Sequence, residues 1–185
     1  MKRTEIMMAG FGGQGIVLAG YIIGKAASVY DKKEAVQTQS YGPEARGGAC
    51  SANVVIDENV IDYPLVSNVE YLILMSQEAY TTYGKRLARD GVMIIDEDLV
   101  HLSEEDKMGK VYLIPATRMA EELGKRIVSN IVMLGFFTAV TRLIHYEAMK
   151  KSVLDSIPKG TEELNTKAFE KGYQFGLKGK TPDEG

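Results

Sequence analysis

Apolar residues in this chain fall into two rhythms: short unbroken runs, and longer stretches with a helical period. Ile6-Met7-Met8-Ala9, opened by Glu5, is the first unbroken run and predicts a strand buried on both faces. It ends in Gly10-Phe11-Gly12-Gly13-Gln14-Gly15. The pattern then turns helical over 16–30, with Ile16, Ile23 and Ala27 on one face and Ile22 and Ala26 beside them. Gly20 and Gly24 lie inside that helix, where each costs about 1 kcal/mol relative to Ala, so something is expected to pack closely against it. A second strand is predicted over 34–40, followed by a turn-rich loop over 41–48.

Further along, 51–56 and 60–63 read as the arms of a hairpin around Asp57-Glu58-Asn59, with Pro64 closing the second arm. Tyr71-Leu72-Ile73-Leu74-Met75 is a buried strand, and Ser76 caps a helix over 77–89 that Gly91 stops. Two more strands follow at 92–96 and 111–114. Thr117 is placed to cap a helix carrying Met119, Ala120 and Leu123, and 127–144 forms a second, more apolar helix. Helices are also expected over 147–156 and 162–173, with a frayed tail over 176–185. Strands alternating with helices predict an α/β protein: a Rossmann-like three-layer fold with a mostly parallel sheet plus a β-hairpin, in a single domain over 1–175.

Composition narrows the function classes. The chain has 185 residues, enough for one domain with a substantial core. Its net charge of -3, with no long run of Lys or Arg, argues against a nucleic-acid partner. The apolar stretch 127–144 carries Ser129, Asn130, Thr138, Thr141 and Arg142, so it reads as a buried or interface helix rather than a membrane span. No signal peptide is evident at the N-terminus, and cysteine usage fits a reducing cytoplasm. With a single cysteine, Cys50, the chain can form no internal disulfide and cannot hold an iron–sulfur cluster by itself.

Two segments carry candidate chemistry. Gly10, Gly12 and Gly15 have the G-x-G-x-x-G spacing between a strand and a helix, where backbone N–H groups approach a phosphate at the helix's positive end. A dinucleotide site also needs an acidic residue at the end of the second strand. Asp31 and Glu34 precede or open that strand, which instead ends in Gln39-Ser40-Tyr41. The glycines also suit a tight turn with close helix–sheet packing, which stays open beside the ligand reading. The second segment, Gln37-Thr38-Gln39-Ser40-Tyr41-Gly42-Pro43-Glu44-Ala45-Arg46-Gly47-Gly48, gathers hydroxyls, amides and an arginine expected at the same sheet edge, and its part from Ser40 on carries the likeness described next. Arg46 there can grip a phosphate or carboxylate, or pair with Glu44.

Together the two segments resemble the gamma subunit, or gamma domain, of 2-oxoacid:ferredoxin oxidoreductases. Asn130-Ile131-Val132-Met133-Leu134-Gly135 is similar to the same family's apolar helix. The wording around Ser40 and Arg46 looks most like the 2-oxoglutarate branch, with pyruvate, branched-chain and indolepyruvate relatives open. The resemblance implies an enzyme that cleaves a 2-oxoacid with thiamine diphosphate, passes electrons through iron–sulfur clusters to ferredoxin and hands the acyl group to coenzyme A. It implies thiamine diphosphate with Mg²⁺ on alpha and beta subunits, clusters on beta and delta subunits, and none of these cofactors on this chain alone. The gamma chain completes the assembly near coenzyme A, with Gly10, Gly12, Gly13, Gln14, Gly15, Ser40, Tyr41 and Arg46 as the expected ligand-facing residues. The isolated chain is expected to be inactive, and no catalytic residue is assigned.

Other chemistry is weaker. Asp96-Glu97-Asp98 follows a strand, but successive side chains point in different directions, so a solvated acidic loop is expected rather than an Mg²⁺ site. His101 and His145 stand far apart without metal-ligand spacing. Two alternatives remain beside the oxidoreductase subunit: a free-standing NAD(P)-binding protein and a purely structural assembly subunit.

Overall fold

The computed structural model describes residues 3–41, 48–103 and 109–179. Six strands form one sheet in the order β2-β3-β1-β4-β5-β6. They are β1 (Thr4–Phe11), β2 (Glu34–Tyr41), β3 (Ala49–Asp57), β4 (Val69–Leu74), β5 (Leu87–Asp96) and β6 (Lys110–Ile114). β1, β4, β5 and β6 run parallel in sequence, whereas β3 is antiparallel to both of its neighbours, β1 and β2.

The helices are α1 (Ile16–Lys25), α2 (Gln77–Tyr83), α3 (Ala116–Glu122), α4 (Ser129–Thr141), α5 (Tyr146–Leu154) and α6 (Glu162–Lys178). Side-chain alternation along β1 divides them between two layers. Ile6 and Met8 face a core built with α1, α3, α4, α5 and α6, while Met7 and Ala9 face a smaller core under α2. Both faces of β1 are therefore covered, which is why its sequence shows an apolar run rather than alternation.

The α/β architecture with a mostly parallel sheet is as the hydrophobic pattern predicts, but several elements differ. The arm 60–63 is not a strand. β3 pairs instead with β1 and β2, so the hairpin is β2–β3. The reason is burial: Val54 and Ile56 fill the large core, whereas the polar Asp57-Glu58-Asn59 turn and Pro64 carry 60–63 away from the sheet. Helix α2 ends at Tyr83, and β5 already begins at Leu87, whose side chain enters the small core. Gly91 thus lies inside a strand rather than stopping a helix. The helix expected over 16–30 is α-helical to Lys25 and widens into a π-helical turn over Ala26–Tyr30. Pro115 rather than Thr117 occupies the N-cap position of α3, without a side-chain cap of its own, and α6 continues through Lys178, past the tail boundary expected at 176.

The apolar stretch 127–144 resolves into a 3-10 turn, Arg126–Val128, and α4, which ends where Arg142 turns left-handed at φ 52°. Every residue from Ser129 to Ala139 is buried within the chain itself. α4 is wedged between the sheet and α6. Phe137 meets Tyr71 of β4 edge-on at 6.0 Å, and Phe136 meets Tyr112 of β6 at 6.3 Å. On the other side α4 and α6 touch backbone to backbone. A Cβ on Gly135 would run into the Phe169 carbonyl oxygen, and one on Gly172 into that of Val132. Gly20 plays a similar part in α1, since a Cβ there would come within 2.6 Å of Ala52 Cβ on β3.

Gly135→Ala forces two backbones apart and is expected to cost about 3 kcal/mol, the upper end for overpacking. Urea denaturation of the isolated chain checks this, and an unchanged midpoint would refute the close α4–α6 contact.

Candidate functional site

The site is built where β1 hands over to α1. Phe11, Gly12 and Gly13 are exposed, and a Cβ added at Gly12 or Gly13 would meet no described atom within 4 Å. Gly15 caps α1 in the left-handed region at φ 72°, a position that favours glycine. Among the described residues no side chain caps α1, and its first turn carries no acid, so its N–H groups and positive end point into the loop.

Gln14, expected among the ligand-facing residues, has its side chain engaged within the chain. Its Oε1 accepts the Phe11 N–H at 2.7 Å, and its Nε2 donates to the Met75 carbonyl at 2.8 Å. The side chain therefore clasps the loop to the end of β4. Behind the loop, the buried Asn130 donates from Nδ2 to the Gly15 carbonyl at 3.2 Å. A side chain on Gly15 would collide with that amide. The apolar helix and the glycine loop are thus one structural unit.

Strand register decides what else reaches this end. Gly10 pairs with Cys50, and Cys50 pairs with Tyr41; likewise Ala9, Ser51 and Ser40 lie in line across β1, β3 and β2. The end of β2 is therefore level with the glycine loop, two strands or roughly 10 Å away. Ser40 is exposed. Arg46 and the rest of 42–47 lie outside the described residues.

The chain supplies a cation that the sequence reading missed. Arg126, Ile127 and Ser129, just ahead of and opening α4, join Phe11, Gly13 and Gln14 around a cleft of about 330 Å³. Arg126 is largely exposed and, among the described residues, makes a long contact to Glu121 at 3.9 Å. A second cavity, about 350 Å³, adjoins it and shares Ile127; Leu18, Val128, Ile131, Ile157 and Leu164 give it apolar walls. The available signal was the Lys125-Arg126 pair immediately before an uncapped apolar helix.

The remaining candidates have structural partners. Asp96 is fully buried rather than part of a solvated loop. It accepts from the Thr117 N–H at 3.0 Å and from Thr117 Oγ1 at 2.6 Å, which holds the start of α3 to β5. Burial pushes its carboxyl above the ordinary range, and the Thr117 and Asp98 hydrogen bonds only partly offset this. Arg118 pairs with Glu97 at 3.0 Å and with Asp98 at 3.4 Å. Asp31, considered above as a ribose partner, lies at the opposite end of the sheet and binds the His145 N–H at 3.1 Å and Nδ1 at 2.9 Å. Among the described residues no cluster of three or more His, Cys, Asp or Glu could hold a metal. Cys50 is buried, and burial raises its thiol pKa. A lone buried thiol does not fit an iron–sulfur cluster, which needs several thiolates.

Fold and site together define an α/β protein with an uncovered backbone loop at a helix N-terminus and a cationic side chain across from it. A family model described as pyruvate ferredoxin/flavodoxin oxidoreductase matches residues 5–175. A 2-oxoglutarate synthase subunit KorC of Methanocaldococcus jannaschii is 54% identical over 177 residues, covering 93% of each chain. The crystal structure of a keto/oxoacid ferredoxin oxidoreductase gamma subunit from Geobacter sulfurreducens superposes with a TM-score of 0.86 at 39% identity, over 96% of this chain and 98% of that one. A 2-oxoglutarate:ferredoxin oxidoreductase chain from Magnetococcus marinus has the same fold over all of this chain and 32% of its own, with a TM-score of 0.85 at 20% identity. The chain belongs to the pyruvate ferredoxin/flavodoxin oxidoreductase family, as a gamma-type subunit of an oxidoreductase complex.

Gln14→Ala removes both clasp bonds and is expected to lower the stability of the isolated chain by about 1–2 kcal/mol. A thermal melt reads this directly. A variant as stable as the parent would return Gln14 to the role of a free donor.

Proposed function

We propose that this chain serves a 2-oxoglutarate:ferredoxin oxidoreductase, and that its glycine loop holds the phosphate portion of coenzyme A. The observation that carries the ligand reading is the Gly12-Gly13 backbone at the N-terminus of α1, which no described side chain covers or caps, with Arg126 across the cleft. The helix end offers about half a positive charge, and the guanidinium adds a full one with paired donors suited to phosphate. The adjoining apolar cavity gives the uncharged part of an extended ligand a place to lie. Ser40, Tyr41 and Arg46 complete the proposed anion-binding end from the β2 side.

The substrate assignment rests on the likeness to 2-oxoglutarate synthase subunits. In this reading thiamine diphosphate, Mg²⁺ and the iron–sulfur clusters sit on alpha, beta and delta partners in the cytoplasm, ferredoxin takes the electrons, and coenzyme A accepts the acyl group. This chain's own part is to bind and orient coenzyme A and to complete the assembly.

The strand order disfavours a nicotinamide dinucleotide. In that arrangement the second strand lies directly beside the first and ends in the ribose-binding acid. Here β3 intervenes between β1 and β2, and β2 ends in Ser40-Tyr41.

Steady-state kinetics of the reconstituted complex test the ligand assignment. Losing one charge-assisted hydrogen bond at an exposed site costs about 1.5 kcal/mol, so Arg126→Ala and Arg46→Ala should each raise KM for coenzyme A roughly tenfold. KM for the oxoacid should not move. Gly12→Val should cover the backbone and do as much damage without unfolding the turn, because its side chain enters open space. Unchanged constants in all three, with assembly intact, would reduce the loop to a packing element. The isolated chain should be colourless, free of iron and unable to reduce benzyl viologen with any 2-oxoacid; turnover by it alone would overturn the subunit reading.

A further inference from the structure

We propose that the apolar cavity beside the glycine loop takes the adenosine end of coenzyme A, with Lys125 at its rim holding the ribose 3′-phosphate, so that the pantetheine arm and its thiol point off this chain. The inference rests on the coenzyme A reading above and deepens it. That reading puts phosphate on the glycine loop; the cavity fixes which way the rest of the molecule lies. Coenzyme A extends two ways from its pyrophosphate. One arm is adenosine bearing a phosphate on its 3′ oxygen, and the other is pantetheine, uncharged and ending in the thiol.

The cavity opens between three helices. Leu18 of α1, Ile131 of α4, Leu164 of α6 and Ile157 in the α5–α6 connection give it apolar walls that suit the faces of a flat ring. At about 350 Å³ it falls in the range of about 300–1,000 Å³ that small-molecule sites occupy. Ile127 borders both the cavity and the cleft at the loop, and Gly15 borders the cavity from the start of α1. A ligand with its pyrophosphate on the loop therefore has one arm within reach of this space. The lining also offers an acceptor. Buried Asn165 donates from Nδ2 to the Thr161 carbonyl at 2.9 Å and to Thr161 Oγ1 at 3.1 Å, which fixes its amide. Among the described residues its Oδ1 accepts no hydrogen bond, so it can receive one from an exocyclic amine such as that of adenine.

Two arguments choose adenosine over pantetheine. The first is charge. Lys125 lines the cavity while the next residue, Arg126, lines the cleft, so a cation stands at each. Lys125 is exposed and makes no ion pair among the described residues. Pantetheine entering the cavity would bring no charge for this ammonium to meet, whereas the adenosine arm carries its 3′-phosphate next to the base. The second is where the thiol must go. In the proposed assembly the acyl group forms on thiamine diphosphate held by partner subunits. A thiol enclosed between α1, α4 and α6 could not reach it. Gripping the adenosine end leaves the reacting end free, and binding energy from that remote part becomes available to position the thiol.

Titration calorimetry on the assembled complex tests this with coenzyme A, dephospho-coenzyme A, adenosine 3′,5′-bisphosphate and 4′-phosphopantetheine. Lys125→Ala changes an exposed side chain and should weaken coenzyme A about tenfold, while dephospho-coenzyme A, which lacks the 3′-phosphate, binds as it does to the parent. Leu164→Trp fills the cavity and should weaken adenosine 3′,5′-bisphosphate about 30-fold but leave 4′-phosphopantetheine unaffected. A melt of the isolated variant checks that its fold survives; should it not, Lys125→Ala decides alone. A ratio of the two coenzyme affinities unchanged by Lys125→Ala would overturn the orientation while leaving coenzyme A on the loop. So would a folded Leu164→Trp variant that excludes 4′-phosphopantetheine rather than the bisphosphate. Parent affinity for coenzyme A in Lys125→Ala, Arg126→Ala and Gly12→Val alike would overturn the orientation and the loop reading together.

Discussion

The ligand end of this protein is set by how closely α4 can approach its neighbours. A helix buried along nearly all its length has no solvent-facing side to absorb misfit, so each contact must close at once. Towards α6 it does so by bringing backbones together at Gly135 and Gly172, and towards the sheet by seating Phe136 and Phe137 edge-on against Tyr112 and Tyr71. Its first turn places Asn130 against Gly15, and the residues just before it place Arg126 and Ile127 at the mouth of the glycine loop. A shift of α4 by a fraction of its rise per residue would break the Asn130 bond and move the cation from the cleft.

The same end shows how one reversed strand redirects a familiar loop. A strand–glycine loop–helix unit offers its backbone to phosphate wherever it occurs. What lies beside it decides which ligand can be held. Inserting β3 antiparallel between β1 and β2 displaces the end of β2 sideways and brings hydroxyl-bearing residues, not a carboxylate, level with the loop. The carboxylates that sequence spacing offered are spent elsewhere: Asp31 on the start of α5 and Asp96 on the start of α3. Both organise helix entries, where an acceptor meets N–H groups that the helix leaves free.

At the far end of the sheet the Arg3–Glu5 pair does comparable work on a segment without regular structure. Glu5 is nearly buried, and a buried carboxylate is tolerated because a guanidinium and two backbone N–H groups surround it. The sheet therefore carries two organised ends: one exposes backbone and positive charge, the other apolar side chains on a backbone that Arg3 and Glu5 hold.

Much of this was legible in residue order alone. The unbroken apolar runs marked β1, β4 and β5, and the glycine spacing marked the loop entering α1. The paired glycine segments identified the family, because local chain geometry is written in neighbouring residues. Other features depended on residues far apart in sequence. The apolar turn 60–63 could not be told from a strand until Arg3 and Glu5 were seen to hold its surroundings. The helix expected to run to residue 89 ended early because Leu87 had a core position to fill. That Gln14 bridges Phe11 and Met75 was not legible in its spacing, and Arg126 was invisible as a site residue until the packing of α4 carried it to the loop. The sequence by itself determined the fold class, the loop and the family, since these follow from hydrophobic period and local backbone freedom. Only the tertiary structure decided which polar groups are already bonded and which still face outward, because that depends on partners more than a hundred residues away, as Asn130 is from Gly15.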